Sequence, residues 1–522
     1  MAVSNIVKRI QDIMREDSGI NGDAQRIEQM TWIFFLKVYD TQEEDWELDD
    51  DNYKSIIPEH LRWRNWAHSK DSEGKSIKDA PTGDDLLNLI NNELFPVLKG
   101  QKILHKKKEG ETETTTEFLI AKNALMQKRQ SIVLDVFKDL NQYMKNGVKL
   151  RQVIDVVDEM DMSDSDDRHQ FGFIYETMLK SLQSAGNAGE FYTPRALTDF
   201  IVEMLNPTLD EKFADFTSGT GGFLVSAINH LQKSNKDGDS YKKLQTAVKG
   251  QEWKPLPYLL SITNLLLHDI EAPDIKQCDS LEGDFKEDAD DKDLVDVIGM
   301  NPPYGGSSDK SVQNNFPAAV RTSETADLFM YVIMKRLREG GRAGVIIPDG
   351  FLFGTDGAKK EIKTQLLTDY NVHTIIRLPG SIFSPYTSIA TNIIFFDKPS
   401  VAKTENELYT TKETWFYRLD MPEGYKNFSK TKPMQLEHCE PIRKWWTNRQ
   451  EIINSDSDIK AKKFTVDELI ALNCNFDQCK FPKEEKVIKT PSELLADYWA
   501  ERKQLDATID STLQEIEKLL EK

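Results

Sequence analysis

Cysteine is the scarcest chemistry in this 522-residue chain: Cys278, Cys439, Cys474 and Cys479 are the only four, with no CxxC pair, and histidines number eight. A disulfide framework and a zinc ribbon are both excluded as organising principles. "CNFDQC" at 474–479 offers at most half a metal set, so the thiols read as reduced structural residues and no metal is expected. Long hydrophobic runs are missing too. No window approaches the roughly 18 uninterrupted apolar residues of a membrane span. The opening "MAVSNIVKRIQDIMREDSGING" carries charges where a signal peptide would be apolar, so a cytoplasmic protein is expected. Positive charge is also in deficit: 67 Lys and Arg stand against 87 Asp and Glu, a net charge of -20. That is the wrong sign for a chain that grips nucleic acid unaided. If DNA is the substrate, something else must supply much of the grip.

What is present changes rhythm along the chain. Residues 1–165 are patterned as helices: "DAQRIEQMTWIFFLKVYD" repeats Ile27, Met30, Phe34 and Val38 at helical spacing. After the acidic run "DEMDMSDSDDRH", short β-branched segments alternate with amphipathic helices ("KFADF", "TAVKGQEW", "IKQCDSL", "LVDVIGM", "GRAGVIIPD", "VHTIIRLP", "TNIIFFDK"). This alternation over 166–400 predicts a doubly wound, mostly parallel α/β sheet, with ligands outside the carboxyl ends of its strands. Residues 401–490 read as an irregular extension. Residues 491–522 read as a helix, with Leu505, Ile509, Leu513, Ile516 and Leu520 forming a stripe that suits either an intramolecular face or a partner helix.

The strand ends hold the candidate chemistry. "FADFTSGTGGFLVSAINHL" is a strand, a glycine turn and a helix. Asp215 ends the strand, and Gly219, Gly221 and Gly222 let a ligand approach the backbone. Phe223 and Leu224 stand where a Walker loop needs its Lys-Ser/Thr, so a phosphate cradle is not expected. The next strand ends at Glu252, placed to accept from ribose hydroxyls, and the next reaches Asp279, placed to accept from an adenine amino group. Upstream, "GEFYTPRAL" predicts a helix with Thr193 as N-cap and Pro194 as its first residue, which leaves the preceding "EFY" unexplained. "NPPYGG" follows the fourth strand. There Asn301 and the Pro302 carbonyl can accept both hydrogens of a planar exocyclic amine while the Tyr304 ring stacks on its plane. Drawing both hydrogens away localises the nitrogen lone pair for attack.

Taken together, "GEFYTPRAL", "DFTSGTGGFL", "GQEW", "NLLLHDIE", "NPPYGG", "GGRAGVIIPDGFLF" and "IIRLPGSIF" resemble S-adenosylmethionine-dependent DNA adenine methyltransferases. More narrowly, they resemble the modification (M) subunit of type I restriction-modification systems. Phe216 departs from that pattern, which commonly has proline there. The resemblance implies a seven-stranded methyltransferase sheet with an all-helical N-terminal domain. It implies S-adenosylmethionine contacts from Glu190, Phe191, Tyr192, Thr193, Pro194 and Arg195, and from Asp215, Ser218, Gly219, Thr220, Gly221 and Gly222. Glu252 is then expected on the cofactor ribose and Asp279 near its adenine. Asn301, Pro302, Pro303 and Tyr304 are expected to hold a flipped-out target adenine. It further implies double-stranded DNA as substrate, a separate specificity (S) subunit that reads the site, a second M copy and a restriction (R) subunit. The C-terminal helix is the candidate for docking on the S subunit.

Two other functions share parts of this pattern. The Asn-Pro-Pro-Tyr loop also resembles that of methyltransferases acting on a protein glutamine amide or an RNA guanine. A degenerate, non-catalytic scaffold is the other, and the intact glycines, Glu252 and loop speak against it. The polar segment "GGSSDKSVQNNFPAAVRTSETA" after Tyr304 suits a lid or a plain surface loop equally.

Overall fold

The computed structural model describes residues 3–70, 73, 75–105, 114–160, 172, 175, 192–234, 237–355, 357–384, 387–401, 403–404, 407–429, 431–455, 458–482 and 491–520. They form two compact units, Met1–Lys480 and Phe481–Lys522. No helix among the described residues is long and apolar enough to cross a membrane.

The first unit opens with helices α1 (Val3–Arg15), α2 (Asp23–Asp49), α3 (Ala124–Lys138) and α4 (Gly147–Asp158), with shorter helices and one small antiparallel ribbon, Ile103–His105 with Thr114–Thr116, between them. From Trp32 to Leu36 α2 is apolar on all sides, which forces it inside, and every residue from Gln29 to Leu36 is buried. Trp32 meets Phe95 edge-on at 5.2 Å, and Phe35 and Phe95 both meet Phe137. Arg129 of α3 ties these helices to the sheet-bearing part of the unit. Its guanidinium lies 3.3 Å from the Trp46 ring centroid and pairs with Glu271 at 2.6 Å.

The rest of the unit is built on one sheet. After helix α5 (Arg195–Leu205) come β1 (Phe213–Asp215), α6 (Gly222–Ser234), β2 (Val248–Glu252), α7 (Pro255–Leu266), β3 (Ile275–Gln277) and β4 (Val295–Met300). Next are α8 (Thr325–Arg336), β5 (Leu337–Pro348), α9 (Gly357–Asp369), β6 (Asn371–Arg377) and β7 (Thr391–Asp397). These seven strands lie in the order 3-2-1-4-5-7-6, with β7 antiparallel to both neighbours and the other pairings parallel. Strands buried on both faces need no polar alternation, and β6 and β7 are accordingly almost wholly buried.

The sheet does not stop at residue 400. The stretch read as irregular adds β8 (Glu413–Arg418), parallel to β6, and the antiparallel pair β9 (Ile452–Ser455) and β10 (Asp458–Thr465), giving a sheet of ten strands among the described residues. Cys439, Cys474 and Cys479 are buried in this part as free thiols, and burial pushes the Cys439 and Cys479 thiols up to about 12. The second unit contains helix α10 (Pro491–Leu520). Its Leu505, Ile509, Leu513 and Ile516 are exposed, while the Leu520 side chain lies outside the described residues.

Candidate active site

The glycine turn after β1 is shaped by left-handed backbone at Gly219 (φ +53°) and Gly221 (φ +81°). A Cβ on Gly221 would come within 2.9 Å of the Ser261 hydroxyl and 3.2 Å of Leu265, so α7 closes against the turn there. At Gly219 the nearest atom to such a Cβ is the Thr217 carbonyl oxygen, 3.9 Å away, so nothing crowds the backbone there. Phe216 does not disturb the turn. Its side chain is buried in the core, and its carbonyl accepts from the Ser280 hydroxyl at 2.6 Å.

Carboxylates and amides lock the turn to neighbouring strand ends. Glu252 Oε2 accepts from the Gly219 N–H at 2.8 Å, and Oε1 from the Lys254 N–H at 2.9 Å. Asn264 Nδ2 donates to the Thr220 carbonyl at 2.9 Å. Asp215 is buried and accepts from the Thr217 N–H at 2.9 Å. Its carboxyl is pushed up to about 7, chiefly by desolvation and further by the nearby charge of Glu252. Two buried hydroxyls at the turn, Ser218 Oγ and Ser261 Oγ, have no hydrogen-bond partner among the described residues. Asp279 lies two residues beyond β3, half-buried, with Oδ1 accepting from the Leu281 N–H at 2.9 Å.

The Asn-Pro-Pro-Tyr loop leaves β4 next to this turn, and the Thr217 hydroxyl donates to the Asn301 carbonyl at 3.3 Å. Asn301 Nδ2 donates to Thr193 Oγ1 at 2.9 Å, while its Oδ1 accepts from the Tyr304 hydroxyl. Pro302 is buried and Pro303 half-buried. The Thr325 hydroxyl, at the start of α8, donates to the Pro303 carbonyl at 3.2 Å. The Tyr304 ring is 8% exposed and meets Phe383 edge-on at 6.1 Å. The segment after Tyr304 is anchored at its middle, where Phe316 is fully buried and stacks on Phe285 at 4.8 Å.

On the upstream side, Glu190 and Phe191 lie outside the described residues. Helix α5 begins at Arg195, with Pro194 at the N-cap and no side-chain cap. The Thr193 hydroxyl, expected to cap, is turned to Asn301 instead. The Arg195 guanidinium stands 5.3 Å from the Tyr192 ring centroid, and its Nη1 fills the space a Cβ on Gly222 would need. The sequence reading gave no role to Ser280, Thr325 and Phe383, although each lies in a stretch quoted above, because their contacts are with residues far along the chain. It also passed over Trp253, 66% exposed directly after Glu252, which a solvent-facing indole at a strand end could have flagged.

Residues 166–489 match the family model N-6 DNA Methylase, and residues 3–157 match HsdM N-terminal domain. The EcoEI type I restriction enzyme methylase subunit of Escherichia coli is 43% identical over 97% of this chain and 96% of its own length. The chain belongs to the type I restriction-modification methylase family. Two solved structures carry the same likeness. A modification subunit of a type I restriction enzyme from Vibrio vulnificus YJ016 is 38% identical, with TM-score 0.73 over 90% of this chain and 92% of that one. A chain of a type I R-M system is 30% identical, with TM-score 0.73 over 99% and 98%. This type I methylase subunit is an adenine-specific DNA methyltransferase. The glutamine-amide and RNA-guanine readings are not favoured, because the N-terminal helices match a domain model of the same family.

Proposed function

We propose that the carboxyl ends of β1, β2 and β4 hold S-adenosylmethionine and a flipped adenine side by side for direct methyl transfer to N6. The observation that carries this is the Thr217 to Asn301 hydrogen bond, which couples the glycine turn to the Asn-Pro-Pro-Tyr loop. The turn fits the cofactor on its own terms: the Gly219 backbone is uncrowded and two orphaned hydroxyls await polar partners. Gly219 to Gly222, Ser218, Tyr192, Pro194 and Arg195 line the cofactor, Glu252 takes its ribose, and Trp253 and Asp279 flank its adenine, while the Thr193 hydroxyl is given to Asn301. When bound, S-adenosylmethionine supplies an electrophilic methyl on a sulfonium. Asn301 Oδ1 and the Pro302 carbonyl accept the target amine's hydrogens, and the Tyr304 and Phe383 rings wall the base.

Sequence choice belongs to a separate S subunit, with a second M copy and an R subunit in the larger assembly. The net charge of -20 supports delegated DNA binding, and the exposed apolar stripe of α10 supports docking on the S subunit's helices.

The test is the adenine methylome of source cells, by single-molecule sequencing, with wild type and Asn301→Ala. Asn301→Ala should erase methylation at one split motif while the affinity of the purified chain for S-adenosylmethionine stays nearly unchanged. Full methylation by the variant refutes the assignment.

A further inference from the structure

The geometry points to Thr193 as the residue that sets which end of the Asn301 amide faces the target base. This rests on the adenine-methylation reading above and adds a positioning residue to it. An amide is an acceptor at one end and a donor at the other, and only the oxygen end can accept from the target amine. Presented the wrong way, the Asn301 Nδ2 hydrogens would oppose the amine's own hydrogens. Rotation about the last side-chain bond of asparagine is soft, so the orientation must be imposed from outside. The contact made by Nδ2 is with Thr193 Oγ1, at 2.9 Å.

Three features make Thr193 suited to this task. Its hydroxyl is released from helix capping, since α5 starts without a side-chain cap. Its side chain is β-branched and therefore restricted at χ1. Pro194, with φ -52°, holds the adjoining backbone to a narrow range. The contact at Oδ1 is of another kind. It comes from the Tyr304 hydroxyl, whose departure would leave the oxygen open to the incoming amine without freeing the amide to turn. In this arrangement Thr193 acts through Asn301 rather than on the cofactor, which separates it from the rest of the "EFYTPR" stretch.

The test uses the modification complex isolated through a tag on this chain, with single-turnover methylation of unmodified DNA and calorimetric titration of S-adenosylmethionine. Thr193→Val keeps the shape and removes the hydroxyl. It should lower the methylation rate about tenfold to a hundredfold, the range expected for one lost hydrogen bond to a half-buried amide. Cofactor affinity should change by less than about threefold, and Thr193→Ser should restore the rate. In an Asn301→Asp background, whose side chain accepts at both ends, the Thr193→Val penalty should shrink to within about threefold. An unchanged rate in Thr193→Val, a lost affinity for S-adenosylmethionine, failure of the serine to restore, or an equal penalty in both backgrounds overturns the inference. Full turnover by Asn301→Ala would instead strike the underlying reading of the loop.

Discussion

Two stretches of one sheet are held by opposite means. At the ends of β1, β2 and β4 the links are hydrogen bonds to backbone: Glu252 to Gly219, Asn264 to Thr220, Thr217 to the Asn301 carbonyl, Ser280 to the Phe216 carbonyl. Where β6 meets β8 and the chain beyond it, the links are charges. Arg377 pairs with Asp349 at 2.9 Å and with Asp477, and Arg418 pairs with Asp420 and Asp458, each at 2.7 Å. The first arrangement shapes a loop and leaves uncrowded glycine backbone and unpartnered hydroxyls for a ligand. The second uses its polar groups up in holding the chain together.

Stability and ligand affinity should therefore separate cleanly between the two. The largest loss of stability is expected from Arg377→Ala. It removes the bridge between Asp349 and Asp477 and leaves Asp477, whose side chain is 11% exposed, with only Lys480 of its two ionic partners, and breaking such a buried pair costs up to about 3 kcal/mol. Thermal melting should drop markedly while the folded fraction binds S-adenosylmethionine as wild type does. Gly221→Ala should show the reverse balance. Left-handed backbone costs a residue with a Cβ about 1–2 kcal/mol, and the new Cβ also crowds Ser261. Melting should fall only modestly, but cofactor affinity at least about tenfold, because the shaped backbone is the binding surface. Equal damage to affinity from both variants would erase the distinction.

The same contrast explains what the sequence made legible. Glycines that need positive φ and prolines that stop a strand act within a few residues, so the turn at 219–222 and the loop at 301–304 could be placed from local chemistry. The orientation of Tyr304 could not. Its ring packs into the buried core and meets Phe383, far along the chain. The strands β8, β9 and β10 were also illegible. "DIKAKKFT" puts charges at strand positions, and its Lys460 and Lys463 find Asp420 and Glu413 only after β10 has paired with β8. Thr193 shows a subtler failure. Thr-Pro before a helix is a good capping signal, yet a tertiary partner, Asn301, outcompetes the helix for the hydroxyl.

The expected gain in stability falls on Asp215, where the site region contains a charge that opposes folding. Its carboxyl holds a proton up to about pH 7 in the folded chain, whereas an unfolded aspartate releases it near about 3.9. The folded state thus binds the proton more tightly, and the associated stability is complete below about pH 4 and lost as pH rises through about 7. Asp215→Asn retains an acceptor for the Thr217 N–H and cannot ionise. It should melt above wild type at pH 8, with the gap closing as pH is lowered toward 5. Saturating S-adenosylmethionine should narrow the gap at pH 8, because a cationic ligand nearby offsets the desolvation of the ionised carboxylate. A gap that ignores pH would mean that the carboxylate is solvated. The site region would then hold no unfavourable charge in reserve for its ligand.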